Sequence, residues 1–151
     1  MLAAKHVLEI LGFWFPAGRS ITGETMKRWF SSGPELDALI KQNFEALLLS
    51  VTKDDFSSPQ EALALTILLD QFPRNIYRNT PKMFAWDGRA LEIAKRAVSS
   101  GTDHDASLIK EYGPLARAFF YLPLEHSECL DDQVKCVELF EQLHAEEADQ
   151  M

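Results

Sequence analysis

Ser58-Pro59-Gln60-Glu61-Ala62-Leu63-Ala64-Leu65-Thr66-Ile67-Leu68-Leu69-Asp70-Gln71-Phe72-Pro73 carries the strongest structural signal in the chain. Ser58 and Glu61 have the spacing of a capping box, and Pro59 sits at the first helical position, so a helix starts here. From Ala62 to Leu69 every residue except Thr66 is apolar. A helix that is apolar all round is buried on most sides, which predicts a central helix over about 59–72. Pro73 is expected to end it, because proline disfavours the helical conformation at the residue before it. Asp70 then lies at the helix C-terminus, where a carboxylate opposes the macrodipole at a cost of about 0.3–1 kcal/mol. It needs a cation, and Arg74 or Arg78 is nearest in sequence.

Helical periodicity continues on both sides of this stretch. Upstream, Pro34 opens a helix over 34–51, with Leu36, Leu39, Ile40, Phe44, Leu47, Leu48 and Val51 in one stripe. An earlier helix over 3–13 stops at Phe13-Trp14-Phe15-Pro16. A Gly/Ser/Thr-rich loop, 17–24, follows it, with Trp29 and Phe30 next. Downstream, Asn79-Thr80-Pro81 predicts a helix running to 99 or 100, with Gly101 as its C-cap. Residues 102–113 are weakly patterned. A fifth helix over 114–121 is expected to halt at Pro123, and a sixth covers 130–145. No run of alternating β-branched residues competes. The fold class is all-α, a single-domain antiparallel helical bundle over 1–151.

Composition agrees with one globular domain: 151 residues, 46% hydrophobic and 25% charged. The net charge of −8 comes from residues 123–151, where Lys135 stands alone against nine acids. No Lys/Arg cluster is present to bind a phosphate backbone, so neither a nucleic acid nor an anionic membrane is an expected partner. The apolar stretch Val7–Phe15 is interrupted by Glu9 and lacks a signal-peptide cleavage site. Cys129 and Cys136, seven apart on one helical face, read as buried reduced thiols. A cytoplasmic location is the expectation.

Polar residues that interrupt an apolar stripe mark candidate sites, because burying them without partners costs about 1–3 kcal/mol each. Asp70-Gln71-Phe72-Pro73-Arg74-Asn75 is one such place. Asp87 is another: it falls within the stripe Met83, Asp87, Ala90, Leu91, Ala94, Val98 and would need a cationic partner, Arg74 or Arg78. Tyr121-Leu122-Pro123-Leu124-Glu125-His126-Ser127-Glu128, with Gln133 beyond it, is the third. Each can be read as a structural ion pair or as part of a ligand site. His126, Cys129 and Cys136 fit no standard zinc spacing, so no metal is expected. Nucleophile elbows and dinucleotide fingerprints are missing, and no cofactor is expected.

The same three places carry a family resemblance. Leu68 to Asn75, then Arg78-Asn79-Thr80 with Phe84 and Asp87, then Tyr121 to Glu128 with Gln133, resemble the signature of domain-of-unknown-function family 924. Ile10-Leu11-Gly12-Phe13-Trp14-Phe15 and Trp29-Phe30 are similar to it as well, so the resemblance spans about residues 7–143. It implies an all-helical, tetratricopeptide-like fold found in bacteria and fungi, with no assigned activity. Asn79 stands where the family usually has Gly, and Glu125 where it often has Met. Members usually continue into a His-Arg-Asp and Phe-Gly-Arg-Phe-Pro-His-Arg-Asn type segment, so the resemblance implies a shortened member or one lacking its C-terminal segment.

Two functions follow from these residues. The first is a small-molecule-binding protein or cofactor-independent acid/base enzyme, an isomerase, dehydratase or hydrolase. Asp70, Arg74, Asp87, Tyr121, Glu125 and His126 would converge on a pocket walled by Trp14, Trp86 and Phe119. His126 would transfer the proton, Asp87 or Glu125 orient it, and Tyr121 supply a second proton. Arg74 would hold an anionic or carbonyl group with its planar fork, with Gln71, Asn75, Arg78, Trp86 and Gln133 completing the substrate site. The second is a tetratricopeptide-like interaction module without catalysis, offering a groove to a peptide or to a second copy.

Overall fold

The computed structural model describes residues 2–30 and 33–149. Among them the regular structure is helical: α1 (Ala4–Trp14), α2 (Gly23–Phe30), α3 (Pro34–Ser50), α4 (Pro59–Thr66), α5 (Phe72–Ile76), α6 (Asp87–Ser99), α7 (Ala106–Tyr112), α8 (Ala118–Glu125) and α9 (Leu130–Asp149). The all-α expectation holds.

α4 starts as expected. The Ser58 hydroxyl accepts from the Glu61 amide at 3.0 Å, satisfying one of the first-turn donors. The Glu61 carboxylate, buried, does not close the box onto Ser58. It accepts instead from the Leu2 and Ser57 amides, both at 2.7 Å, and so fastens the N-terminal segment to the central helix. All the residues from Ala62 to Asp70 are buried, and the Thr66 hydroxyl is satisfied by the Ala62 carbonyl at 2.8 Å. α1, α6 and α8 pack around α4, although they are distant from one another in sequence. A solenoid, by contrast, stacks each unit on its neighbours alone. Phe72 ties the aromatic core together, stacked on Phe44 at 4.7 Å and edge-on to Trp14 at 5.7 Å.

Several expectations are corrected. Pro73 does not end the central helix. A π-helical turn, Ile67–Gln71, joins α4 to α5, so the helix runs on to Ile76. Pro123 lies inside α8 rather than beyond its end. The helix expected from 81 is split into a 3₁₀ turn, Pro81–Phe84, and α6 beginning at Asp87. The supposed loop at 17–24 gives way to α2 at Gly23, where Thr22 and Thr25 cap each other through amide-to-hydroxyl bonds of 3.3 and 3.2 Å. The weak segment 102–113 contains α7, whose N-cap Asp105 accepts from the Leu108 amide at 3.0 Å. Cys136 is buried but Cys129 is exposed, and both are free thiols. Asn79 has φ +65°, in the left-handed region where Gly is unstrained and Asn is among the better-tolerated residues. That conformation accounts for the glycine implied there by the family resemblance.

Candidate functional site

The π turn places the first site residue. The Phe72 amide bonds to the Ile67 carbonyl, five residues back, so one extra residue is accommodated in the turn. Pro73 follows immediately and offers no N–H to the helix ladder. Within this widened turn Asp70 is 1% exposed and yet fully occupied. Its Oδ2 accepts from Gln71 Nε2 at 2.8 Å, and its Oδ1 lies 2.8 Å from His126 Nδ1. Its backbone carbonyl accepts from Arg74 Nη1 at 2.7 Å.

His126 comes from the C-cap of α8, where its amide bonds to the Leu122 carbonyl at 3.0 Å. Beside an ionised carboxylate, which only accepts, Nδ1 is the donor of this contact, and Nε2 is the ring nitrogen turned away from Asp70. The side chain is 24% exposed and lines a cleft of about 600 Å³ with Arg74, Phe84, Asp87, Pro123 and Glu128. A buried acid thus holds a partly exposed imidazole at the edge of a cavity.

Asp87 reaches the same cleft by a different route from the one expected. The break before α6 puts it at the first position of that helix and not within its apolar stripe, which is formed by Ala90, Ile93, Ala94 and Ala97. A carboxylate is favoured at a helix N-terminus by the macrodipole. Arg74 grips it with both terminal nitrogens, Nη1 to Oδ1 at 2.8 Å and Nη2 to Oδ2 at 3.0 Å. The guanidinium also sits 5.7 Å from the Phe84 ring centre. With its fork filled by Asp87 and the Asp70 carbonyl, Arg74 fixes one wall of the cleft and has little left to offer a ligand.

The remaining predicted residues lie elsewhere. Tyr121 is buried and donates to Asp103 at 2.5 Å, while Arg117 Nε donates to its oxygen at 3.2 Å. Burial and the hydrogen bond to Asp103 push its phenol well above the usual tyrosine range, against the smaller opposing effect of Arg117. Glu125 is exposed on the far side of α8 from the cleft lining, and Gln133 Nε2 caps the turn by donating to the Glu125 and Ser127 carbonyls. Asn75 and Arg78 both turn to Asp37 on α3, Arg78 through a two-bond grip at 2.8 and 3.0 Å. Trp86 stacks on Tyr77 at 5.5 Å, and Trp14 and Phe119 pack edge-on at 5.6 Å in the core. The cleft therefore brings together Arg74, Asp87 and His126, with Asp70 buried behind the imidazole, but neither Tyr121 nor Glu125.

Phe84, Leu91 and Glu128 line it without having been singled out as site residues. Glu128 was legible as part of the acidic turn and Phe84 as part of the family resemblance; Leu91 reads as an ordinary helix-stripe residue in sequence. Among the described residues no group of three His, Cys, Asp or Glu side chains is placed to hold a metal ion. Nor is any described helix long and apolar enough to cross a membrane.

A family described as bacterial protein of unknown function (DUF924) matches residues 10–151. The chain belongs to this family. A solved structure, that of a protein of unknown function from Agrobacterium tumefaciens, is similar at 30% identity with a TM-score of 0.74. The match covers 95% of this chain and 80% of that one. No curated protein matches the chain. The family match extends across the π turn, the start of α6 and the α8–α9 turn, and so includes every element that builds the cleft.

Proposed function

We propose that this DUF924 member is a cofactor-independent acid/base enzyme, an isomerase, dehydratase or hydrolase, acting on a small molecule held in the cleft. The observation that carries this reading is the 2.8 Å contact between His126 Nδ1 and buried Asp70, with the ring on the cavity wall. Asp70 orients the imidazole and stabilises the imidazolium that forms when Nε2 takes a proton, the role a buried carboxylate plays beside a catalytic histidine. In this reading Asp70 replaces Asp87 and Glu125 as the orienting acid. Arg74 is a positioning residue that holds Asp87 and the Asp70 carbonyl.

The lining also restricts the substrate. Phe84, Leu91 and Pro123 supply apolar surface; Arg74 and Asp87 neutralise each other, which leaves Glu128 as the charge on the lining outside that pair. An uncharged or cationic molecule with one apolar face suits this cleft better than an anion. The two free thiols suit a reducing compartment, and we place the activity in the cytoplasm.

The test is a turnover screen over small neutral and cationic esters, amides and hydroxy compounds, run alongside His126→Gln. The variant should keep its circular dichroism spectrum and melting temperature. Its rate should fall by about 10²–10⁴, the usual range for a lost general acid or base. An unchanged rate on a folded variant would remove His126 from the chemistry, and a variant that unfolds would make it a structural residue.

A further inference from the structure

α9 is amphipathic twice over. Its inner face, with Asp132, Cys136, Leu139 and Leu143, is buried against the bundle. On the opposite side Leu130, Val134 and Val137 are 75%, 50% and 56% exposed. Steps of four and three place these three side chains in one line along the helix. Scattered exposed hydrophobics are ordinary, but this is an ordered seam opposite the core face, left uncovered among the described residues. The seam continues at Val137 into a groove of about 600 Å³ lined by Glu125, Gln133, Cys136, Phe140, Glu141 and His144.

The charges around the seam are of one sign. Asp131, Glu138 and Glu141 flank it on α9, and Glu125 borders the groove from α8. Lys135 is the sole base of residues 123–151, which carry nine acids. A second copy of this face would bring acid against acid, a repulsive arrangement. A helix with an apolar stripe bordered by Lys or Arg would match both the seam and its rim, in the manner of helix-in-groove recognition. We infer that the outer face of α9 is a docking surface for a basic amphipathic helix of a partner protein. The surface is separate from the His126 cleft: the two share no lining residue.

The experiment uses the full chain and two synthetic helical peptides with the same Leu positions, one with Lys and Arg on the flanks, the other with Glu. Fluorescence anisotropy is read on wild-type protein and on the double variant Val134→Ser, Val137→Ser. Both positions are exposed, so the fold, followed by circular dichroism, is retained. The basic peptide should bind wild type at least tenfold more tightly than the acidic one, weakening as salt is raised. The double variant, unchanged in charge, should lose about tenfold in affinity for it. Equal binding of the two peptides, no binding, or undiminished binding by the double variant would each overturn the proposal, the last by reducing it to non-specific charge attraction. Sedimentation of the protein alone decides the other occupant: a dimer that the double variant abolishes would assign the seam to self-association instead.

Discussion

Arg74 shows how much of the site hangs on one side chain. Its fork spans two carboxyl-bearing residues, donating two bonds to the Asp87 carboxylate and one to the backbone carbonyl of Asp70. The pairing of Arg74 with Asp87 was legible in the sequence, because an acid inside an apparently apolar stripe demands a nearby cation. The environment was not. Both side chains retain some contact with water, Arg74 and Asp87 being only partly buried. Removing one partner of a fully buried pair costs about 3–5 kcal/mol. Here solvent can take up part of the loss, and Asp87→Ala should cost about 1.5–3 kcal/mol, the range for a hydrogen bond to a charged group. Urea denaturation of the two proteins measures it. A loss below about 0.5 kcal/mol would place the pair with exposed surface salt bridges. Asp70 tells the opposite story: its need for a cation was visible, but its hydrogen bond to His126, 56 residues away, depends on tertiary packing that no local pattern encodes.

Among the helical elements, α3 and α4, each with a proline at its first position, start where the sequence expectation puts them. α4 begins where Ser58 and Pro59 say it should, and α3 begins at Pro34. Ser58→Ala should therefore cost about 0.5–2 kcal/mol, and Ser58→Gly only a few tenths, because glycine leaves the amides open to water. Thermal melts of both variants check the order; equal losses would show that the hydroxyl bond to Glu61 contributes little. The misplaced boundaries have physical reasons. Proline after Phe72 ordinarily stops a helix, but a π turn lets the chain pass it, and that turn is sustained by contacts around Asp70. Pro123 is carried within α8 after a 3₁₀ turn, Pro114–Arg117. The break at Ala85 and Trp86 has no Gly or Pro to announce it, so Asp87 was assigned to a helix face when it occupies a helix start. Gly23 hid α2 by resembling a loop residue.

Across the whole molecule, acids tie separate helices together. Asp37 on α3 holds Asn75 on α5 and Arg78 beyond it; burial pushes its pKa up, but the Arg78 and Asn75 hydrogen bonds and the Arg78 charge outweigh this and hold it below the usual carboxylate range. Asp132 on α9 is likewise held low, first by the Ser127 hydroxyl and then, against burial, by Lys95 on α6. A carboxylate depressed in the folded state contributes stability that is present above its unfolded pKa, about 3.9 for Asp. That contribution is lost as the pH falls through the lower, folded value. The acidic surplus works the other way, since neutralising residues 123–151 relieves repulsion on acidification. At about 0.15 M salt this repulsion is screened beyond roughly 8 Å, so the paired acids should dominate. The urea midpoint should hold steady above about pH 5 and fall below pH 4. Asp37→Asn separates the two effects, because it leaves the C-terminal charge untouched. The variant should be less stable than wild type near neutrality, and the gap should close as the pH drops through the Asp range. A gap that stays constant from pH 7 to pH 3 would show that Asp37 stabilises the fold by shape and neutral hydrogen bonding, with no contribution from its ionised form.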